Sequence, residues 1–196
     1  MPNVTTPRRL SPEARHDQLA ELAQELIATD GYASFSLDTL AERAGVTRNL
    51  LYHYFPRGRL DLFLAALERG GEEMTGRWLT DPSVPLPERQ AANFAHMLEH
   101  ARTRSPAWSV HRQARSAAEP EIRAVHNRYV DRVVAAICAN NFGTRRPGKL
   151  ATAAIRSYVA FAETLLEQAR DQRLSLEPVG DVLVRTLDAV VASVRR

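Results

Sequence analysis

A chain of 196 residues, 44% apolar and 25% charged, is long enough to bury a real core and ordinary in composition for a soluble globular protein. Its formal charge of +3 leans basic without suggesting a wholly cationic surface. One cysteine, Cys138, excludes an internal disulfide and any cysteine-rich zinc site.

The bases are nearly all arginine, a usage that codon bias explains, so position carries more information than number. No apolar run approaches the roughly 18 to 20 residues that span a bilayer. MPNVTTPRRL has two arginines with no apolar stretch after them; no secretory signal is expected, and a cytoplasmic location is.

Helical spacing runs almost throughout. Residues 1–10 read as a flexible arm. Ser11-Pro12 supplies an N-cap followed by proline at the first helical position, and Leu19, Leu22, Ala23, Leu26 and Ile27 follow on one face up to Gly31. Ser36 caps a short helix carrying Leu37, Leu40, Ala41 and Ala44. Gly45-Val46 breaks it, Thr47 caps a third helix, and Pro56 to Gly58 ends that one. A longer helix is expected from Arg59 or Leu60 to about Leu79. Thr80–Glu88, with three prolines, reads as a linker. Helical patterns then cover about 86–104, 106–117, 120–141, 148–173 and 179–195. Strand alternation and internal repeats are absent, so the fold class is all-α.

Residues 37–54 have the spacing of a helix-turn-helix. Ala41 is small where two helices cross, Gly45 lies four residues on where the backbone reverses, and Val46, Leu50 or Leu51, and Tyr54 pack the next helix back. From Arg43 to Leu60 the charged residues are Arg43, Arg48, Arg57 and Arg59, with no carboxylate. Positive charge among hydroxyls and aromatics suits phosphate positioning with base-edge contact.

The segment GYASFSLDTLAERAGVTRNLLYHYFPRGRLDLFLAAL resembles the DNA-binding domain of the tetracycline-repressor (TetR) family. The likeness rests on the glycine ending helix 1, Ser36 before Leu-x2-Leu-Ala, Ala44-Gly45-Val46, and Leu51-Tyr52-His53-Tyr54-Phe55 before a basic turn. It implies a homodimeric DNA-binding regulator, a repressor released from a palindromic operator by a small-molecule effector. The domains would be an arm over 1–10, a helix-turn-helix domain over 11–57, and a helical effector-binding and dimerisation domain over 58–196. By position, Thr47, Arg48 and Asn49 would reach bases, Arg48 pairing with guanine and Asn49 with adenine. Tyr52 and His53 would lie along the groove, and Ser36 would present a hydroxyl and a helix N-terminus to phosphate. Tyr54 is counted with the DNA-facing residues, although packing is its stronger alternative, while Phe55 is expected to pack. Gly58 stands where many family members have a phosphate-contacting lysine; Arg57 or Arg59 would replace it.

Two further patterns complete the reading. Trp78, Phe94, Met97, His100, Trp108, His111 and Tyr129 fall in the helices that line the effector cavity of TetR-like proteins, and apolar walls with a few polar groups suit a small molecule. The last two helices carry long apolar stripes, from which Tyr158, Phe161, Leu165, Val182, Leu183, Leu187, Val190 and Val191 are assigned to a dimer face. A competing motif, His96-x-x-Glu99-His100, matches the signature of inverted zinc peptidases, with Glu99 as general base. It needs a third ligand from Glu163, Glu167 or Glu177 and is disfavoured. A helical small-molecule-binding protein without DNA binding is the other alternative. No catalysis, cofactor, metal or membrane partner is expected; effector and operator are not legible.

Overall fold

The structure, a computed structural model, describes residues 10–195; the arm expected over 1–10 therefore falls outside it except for Leu10, which is exposed. Nine helices and no strand occur among the described residues: α1 Pro12–Asp30, α2 Leu37–Ala44, α3 Arg48–Tyr54, α4 Arg59–Thr75, α5 Leu86–Thr103, α6 Pro106–Arg115, α7 Pro120–Phe142, α8 Lys149–Asp171 and α9 Leu176–Val194.

The starts and stops follow local chemistry. Ser11, Ser36 and Thr47 each accept a hydrogen bond from a backbone N–H three residues on, which satisfies a donor the helix leaves free. Gly45 adopts φ 62°, ψ 38°, and Val46 N donates to Ala41 O at 2.9 Å, closing the turn between α2 and α3. The one marked difference in boundary is α4, which ends at Thr75 rather than near Leu79. There Asn93 of α5 takes over the backbone: its Oδ1 accepts from Leu79 N at 2.7 Å and its Nδ2 donates to Leu79 O at 3.1 Å.

Two apolar cores result. The first joins Leu19, Ile27, Phe35, Leu40 and Leu51 to Leu62, Phe63 and Leu67 of α4, with Val110 and Ala114 of α6 and Ile122 of α7. The second gathers Met74, Trp108, Tyr129, Val133, Ile155, Tyr158, Leu166, Leu183 and Leu187. The cores meet along α4, so a division at 57/58 cuts inside the first core rather than at its edge. α4 packs on α1, α6 and α7 together, and α1 packs on α6 as well, so the N-terminal helices are tied to the rest through α4 and α6.

Candidate nucleic-acid interface and effector cavity

α3 divides by face. Leu51 is buried, Leu50 and Tyr54 are half-buried, and Arg48, Asn49, Tyr52 and His53 are exposed on the opposite arc, beside exposed Thr47. Tyr54 belongs with the packing residues: it lies against the first core and lines a groove with His16, Asp61, Leu64 and Glu121. Its expected place on the DNA-facing surface is therefore corrected, because Leu50 and Tyr54, four residues apart, share the half-buried arc of the helix while Asn49 lies on the exposed one. Phe55 is 2% exposed and stacks on His16 at 4.8 Å between centroids.

The cations of this surface have unequal company. Arg48 pairs with Asp38 of α2, Nη1 lying 2.9 and 3.0 Å from its two carboxylate oxygens, and Arg48 Nη2 donates to Tyr52 Oη at 3.4 Å. The hydrogen bond to Tyr52 and then the Asp38 charge raise the Arg48 pKa further above its ordinary value. Arg57 is engaged by two carboxylates, Asp61 at 2.8 Å and Glu121 of α7 at 2.6 Å. Among the described residues Arg59 meets only a backbone carbonyl, Ala33 O at 2.8 Å, and lies over the Phe35 ring at 5.5 Å. Its positive charge is thus the one left without a carboxylate among these three.

The turn before α4 explains why no lysine stands at 58. Gly58 has φ 59°, ψ −116°, a backbone region closed to side chains with a Cβ. A Cβ there would also lie 3.3 Å from the Tyr52 ring and 3.5 Å from Leu37.

In the C-terminal helices, Trp78, Phe94, Met97, Trp108 and Tyr129 converge on a cavity of about 70 Å3 that is continuous with solvent. His100 and His111 do not line it. His100 Nδ1 lies 2.8 Å from Ser105 Oγ and its Nε2 3.3 Å from His96 Nε2, on the side of α5 turned to α6. His111 is 3% exposed; its Nε2 donates to Leu67 O of α4 at 2.9 Å, and its Nδ1 lies 3.3 Å from His126 Nδ1. It faces a smaller recess behind Trp108, with Arg112, Arg115, Tyr129, Glu163 and Glu167. Burial, then the neighbouring His126, pushes His111 down to about 3; burial pushes His126 to about 4. Both imidazoles are neutral at ordinary pH.

The sequence reading missed the polar part of the cavity: Gln90, Asn93, Asn140, Asn141 and Glu163. A pointer existed in the Asn140-Asn141 pair at the end of an apolar helix, where polar residues normally need a reason to be buried. Arg89, 8% exposed, supports Asn140 by donating from Nη1 to its Oδ1 at 2.9 Å.

The zinc motif does not assemble. The Glu99 carboxylate takes two hydrogen bonds from Arg102, at 2.7 and 2.8 Å, which hold its pKa below the ordinary value. Among the described residues no group of three or more His, Cys, Asp or Glu side chains is placed to hold a metal. No helix among them is long and apolar enough to cross a membrane.

The stripes of α8 and α9 divide in the same way as α3. Tyr158, Leu183, Leu187 and Val191 are at most 5% exposed and face the chain's own second core, Tyr158 Oη donating to Leu183 O at 3.0 Å. They are removed from the expected dimer face: a side chain that fills its own core has no surface to offer a partner. Phe161 and Val182 remain exposed, and Leu165 and Val190 half-buried. Ala154, Thr186, Ala189 and Val190 line a shallow groove between the two helices.

Residues 19–66 match the model of the bacterial regulatory proteins, tetR family. Over 61 residues the chain is 39% identical to the HTH-type transcriptional activator FasR of Mycolicibacterium smegmatis, which is 31% of this chain and 27% of that protein. The chain thus matches about a quarter of that relative's length. Among solved structures, a tetR-family transcriptional regulator from Streptomyces coelicolor superposes with a TM-score of 0.76 at 23% identity, over 93% of this chain and 81% of that one. A TetR transcriptional regulator from Rhodococcus sp. RHA1 gives 0.65 at 20% identity, over 92% and 96%. These likenesses cover more than nine-tenths of the chain and so extend the shared fold into the C-terminal helices.

Proposed function

We propose that this chain, which belongs by its N-terminal domain to the tetR family of bacterial regulatory proteins, is a sequence-specific transcriptional regulator that acts as a homodimer on a palindromic operator. The observation that carries this reading is the exposed arc of α3, with Thr47, Arg48, Asn49, Tyr52 and His53 presented together and the apolar residues turned inward. Arg48 and Asn49 are the candidates for base edges, since a guanidinium and a carboxamide can each make two hydrogen bonds to one base. Ser36 and Arg59 are the candidates for phosphate. Arg57, held by two carboxylates, is better placed to fix α4 against α7.

Exposed Phe161 and Val182 on α8 and α9 suit the dimer contact, with the two α3 helices entering successive major grooves roughly 34–36 Å apart. The cavity suits a small-molecule effector. A ligand favouring the DNA-incompetent arrangement would shift the population away from the operator, through α4. Release of a repressor is the sense proposed first. The relative that is 39% identical over 61 residues is named an activator, and reporter expression with and without the regulator decides between the two.

In vitro selection of bound DNA tests the central reading. The expected result is an inverted repeat whose half-sites lie about one helical turn apart, or a multiple of it, with affinity falling steeply as salt rises. Absence of salt-dependent DNA binding overturns it.

A further inference from the structure

Resting on the DNA-binding reading above, we propose that Asp38 and Tyr52 are positioning residues for base reading: they fix the Arg48 guanidinium so that each half-site requires guanine where Arg48 meets it. Tyr52 then acts through Arg48 and not through a phosphate or a thymine methyl. The observation that carries this is that Arg48 is held from two sides, by α2 and by its own helix one turn on.

Asp38 stands in the first turn of α2, where a helix N-terminus favours a carboxylate. Both of its oxygens lie on one Arg48 nitrogen, Nη1, at 2.9 and 3.0 Å. On the other side Nη2 donates to Tyr52 Oη at 3.4 Å, and the guanidinium carbon lies 6.0 Å from the centre of the Tyr52 ring. Tyr52 follows Arg48 by four residues, so the two project from one arc of α3. The tyrosine ring has a seat of its own. It lies with Leu37 over Gly58, where a Cβ would come within 3.3 Å of the ring and 3.5 Å of Leu37. The closed turn between α2 and α3, with Val46 N donating to Ala41 O at 2.9 Å, sets the spacing between the two anchors.

An exposed arginine normally samples many rotamers, and one solvent-exposed ion pair restrains it weakly. Two anchors on different nitrogens fix the plane of the guanidinium as well as its place. Donors remain for DNA. Arg48 Nε has no partner among the described residues, and Nη2 carries a second N–H beyond the one given to Tyr52. These two nitrogens share an edge. Two donors side by side match O6 and N7 of guanine, whereas adenine presents an N6 donor in place of O6. The Asp38 charge adds a second bias. A phosphate brought to Arg48 would also meet the neighbouring carboxylate, so the pair suits a neutral base edge better than the backbone. Arg59, whose guanidinium meets a backbone carbonyl and no carboxylate, suits the phosphate.

The experiment takes the full-length protein and the operator that in vitro selection returns. Each base pair of a half-site is replaced in turn, and affinity is measured at fixed salt for the unmutated protein, Arg48→Ala, Asp38→Asn, Tyr52→Phe, and each of the last two combined with Arg48→Ala. One base pair should lose its guanine preference in Arg48→Ala. At that same pair Asp38→Asn and Tyr52→Phe should each lower the ratio of guanine to adenine binding by about three- to tenfold. Neither change should alter the ratio once Arg48 is gone, since each acts through it. On the unmutated protein, 7-deazaguanine at that position, which lacks N7, should weaken binding by about tenfold, a measurement that needs no variant to fold. The positioning role is overturned if the ratio is unchanged in both single variants, if Tyr52→Phe weakens every sequence alike, if the effects persist without Arg48, or if 7-deazaguanine binds as guanine does. Those outcomes leave the regulator reading in place, because an operator was still selected. No selected DNA and no salt-dependent binding removes both.

Discussion

Arg48 and Asp38, ten residues apart in the chain, form a pair in which one guanidinium nitrogen reaches both carboxylate oxygens, at 2.9 and 3.0 Å. A segment free of acid in the sequence therefore acquires a carboxylate in space, supplied by α2. Binding DNA through Arg48 requires Asp38 to share or surrender that nitrogen. Arg48→Ala is expected to lower discrimination between operator and scrambled DNA by about 10- to 100-fold. Asp38→Asn is expected to strengthen binding to both sequences and reduce the ratio between them, since it removes a negative charge from a phosphate-facing surface. Competition binding reads both, and an unchanged ratio in Arg48→Ala would end the base-reading role.

Arg57 and Arg59 flank Gly58 but should behave differently. Arg59→Ala is expected to weaken binding to all sequences alike and flatten the logarithmic salt dependence by about one unit. Arg57→Ala should leave that slope unchanged, because Asp61 and Glu121 already occupy its guanidinium. Titrations across a range of salt concentrations distinguish them.

Gly58→Lys would place the family's usual residue at its usual position, yet the prediction is loss rather than gain. At φ 59°, ψ −116° and with Tyr52 3.3 Å from the new Cβ, the substitution should cost about 1–3 kcal/mol of stability in urea unfolding. Gly58→Ala should show a similar cost. A neutral or stabilising result for either would mean that the turn relaxes.

Buried His111 and His126 and half-buried Glu163 set opposite pH trends. The histidines are lowered to about 3 and 4 from 6.5, so the stability they contribute is present above about pH 6.5 and lost as pH falls. Glu163 is raised to about 7 from 4.5, so its contribution is present below about pH 4.5 and lost as pH rises through 7. Between about pH 4.5 and 6.5 the unfolded chain binds two protons on these groups and the folded chain one. Their joint contribution to stability should then rise by about 1.4 kcal/mol per pH unit, and by about twice that in Glu163→Gln. Urea unfolding at several pH values measures the difference between the two slopes.

Phe161→Glu combined with Val182→Glu should leave the monomer folded and raise the dimer dissociation constant by about 100-fold or more, as charges enter an apolar contact. Light scattering after size exclusion reads the mass. A stable dimer in the double variant would move the interface elsewhere.

The sequence alone determined the helices, because caps, prolines and glycines act within three or four residues of themselves. Ser36, Thr47 and Gly45 do in the structure what their spacing predicts. It determined the resemblance of residues 31–67 for the same reason: the helix-turn-helix is short and its contacts are local. Tertiary structure decided which side of each stripe faces home. Tyr158, Leu183, Leu187 and Val191 belong to the same apolar stripes as Phe161 and Val182, and only the packing of α7 against α8, and of α8 against α9, separates core from free surface. It also decided the electrostatic partners. Asp38 beside Arg48, Glu121 beside Arg57 and Glu163 beside Arg115 depend on elements meeting across 10, 64 and 48 residues of chain. Charge acts through space, and a linear pattern carries no distance between elements it has not yet packed.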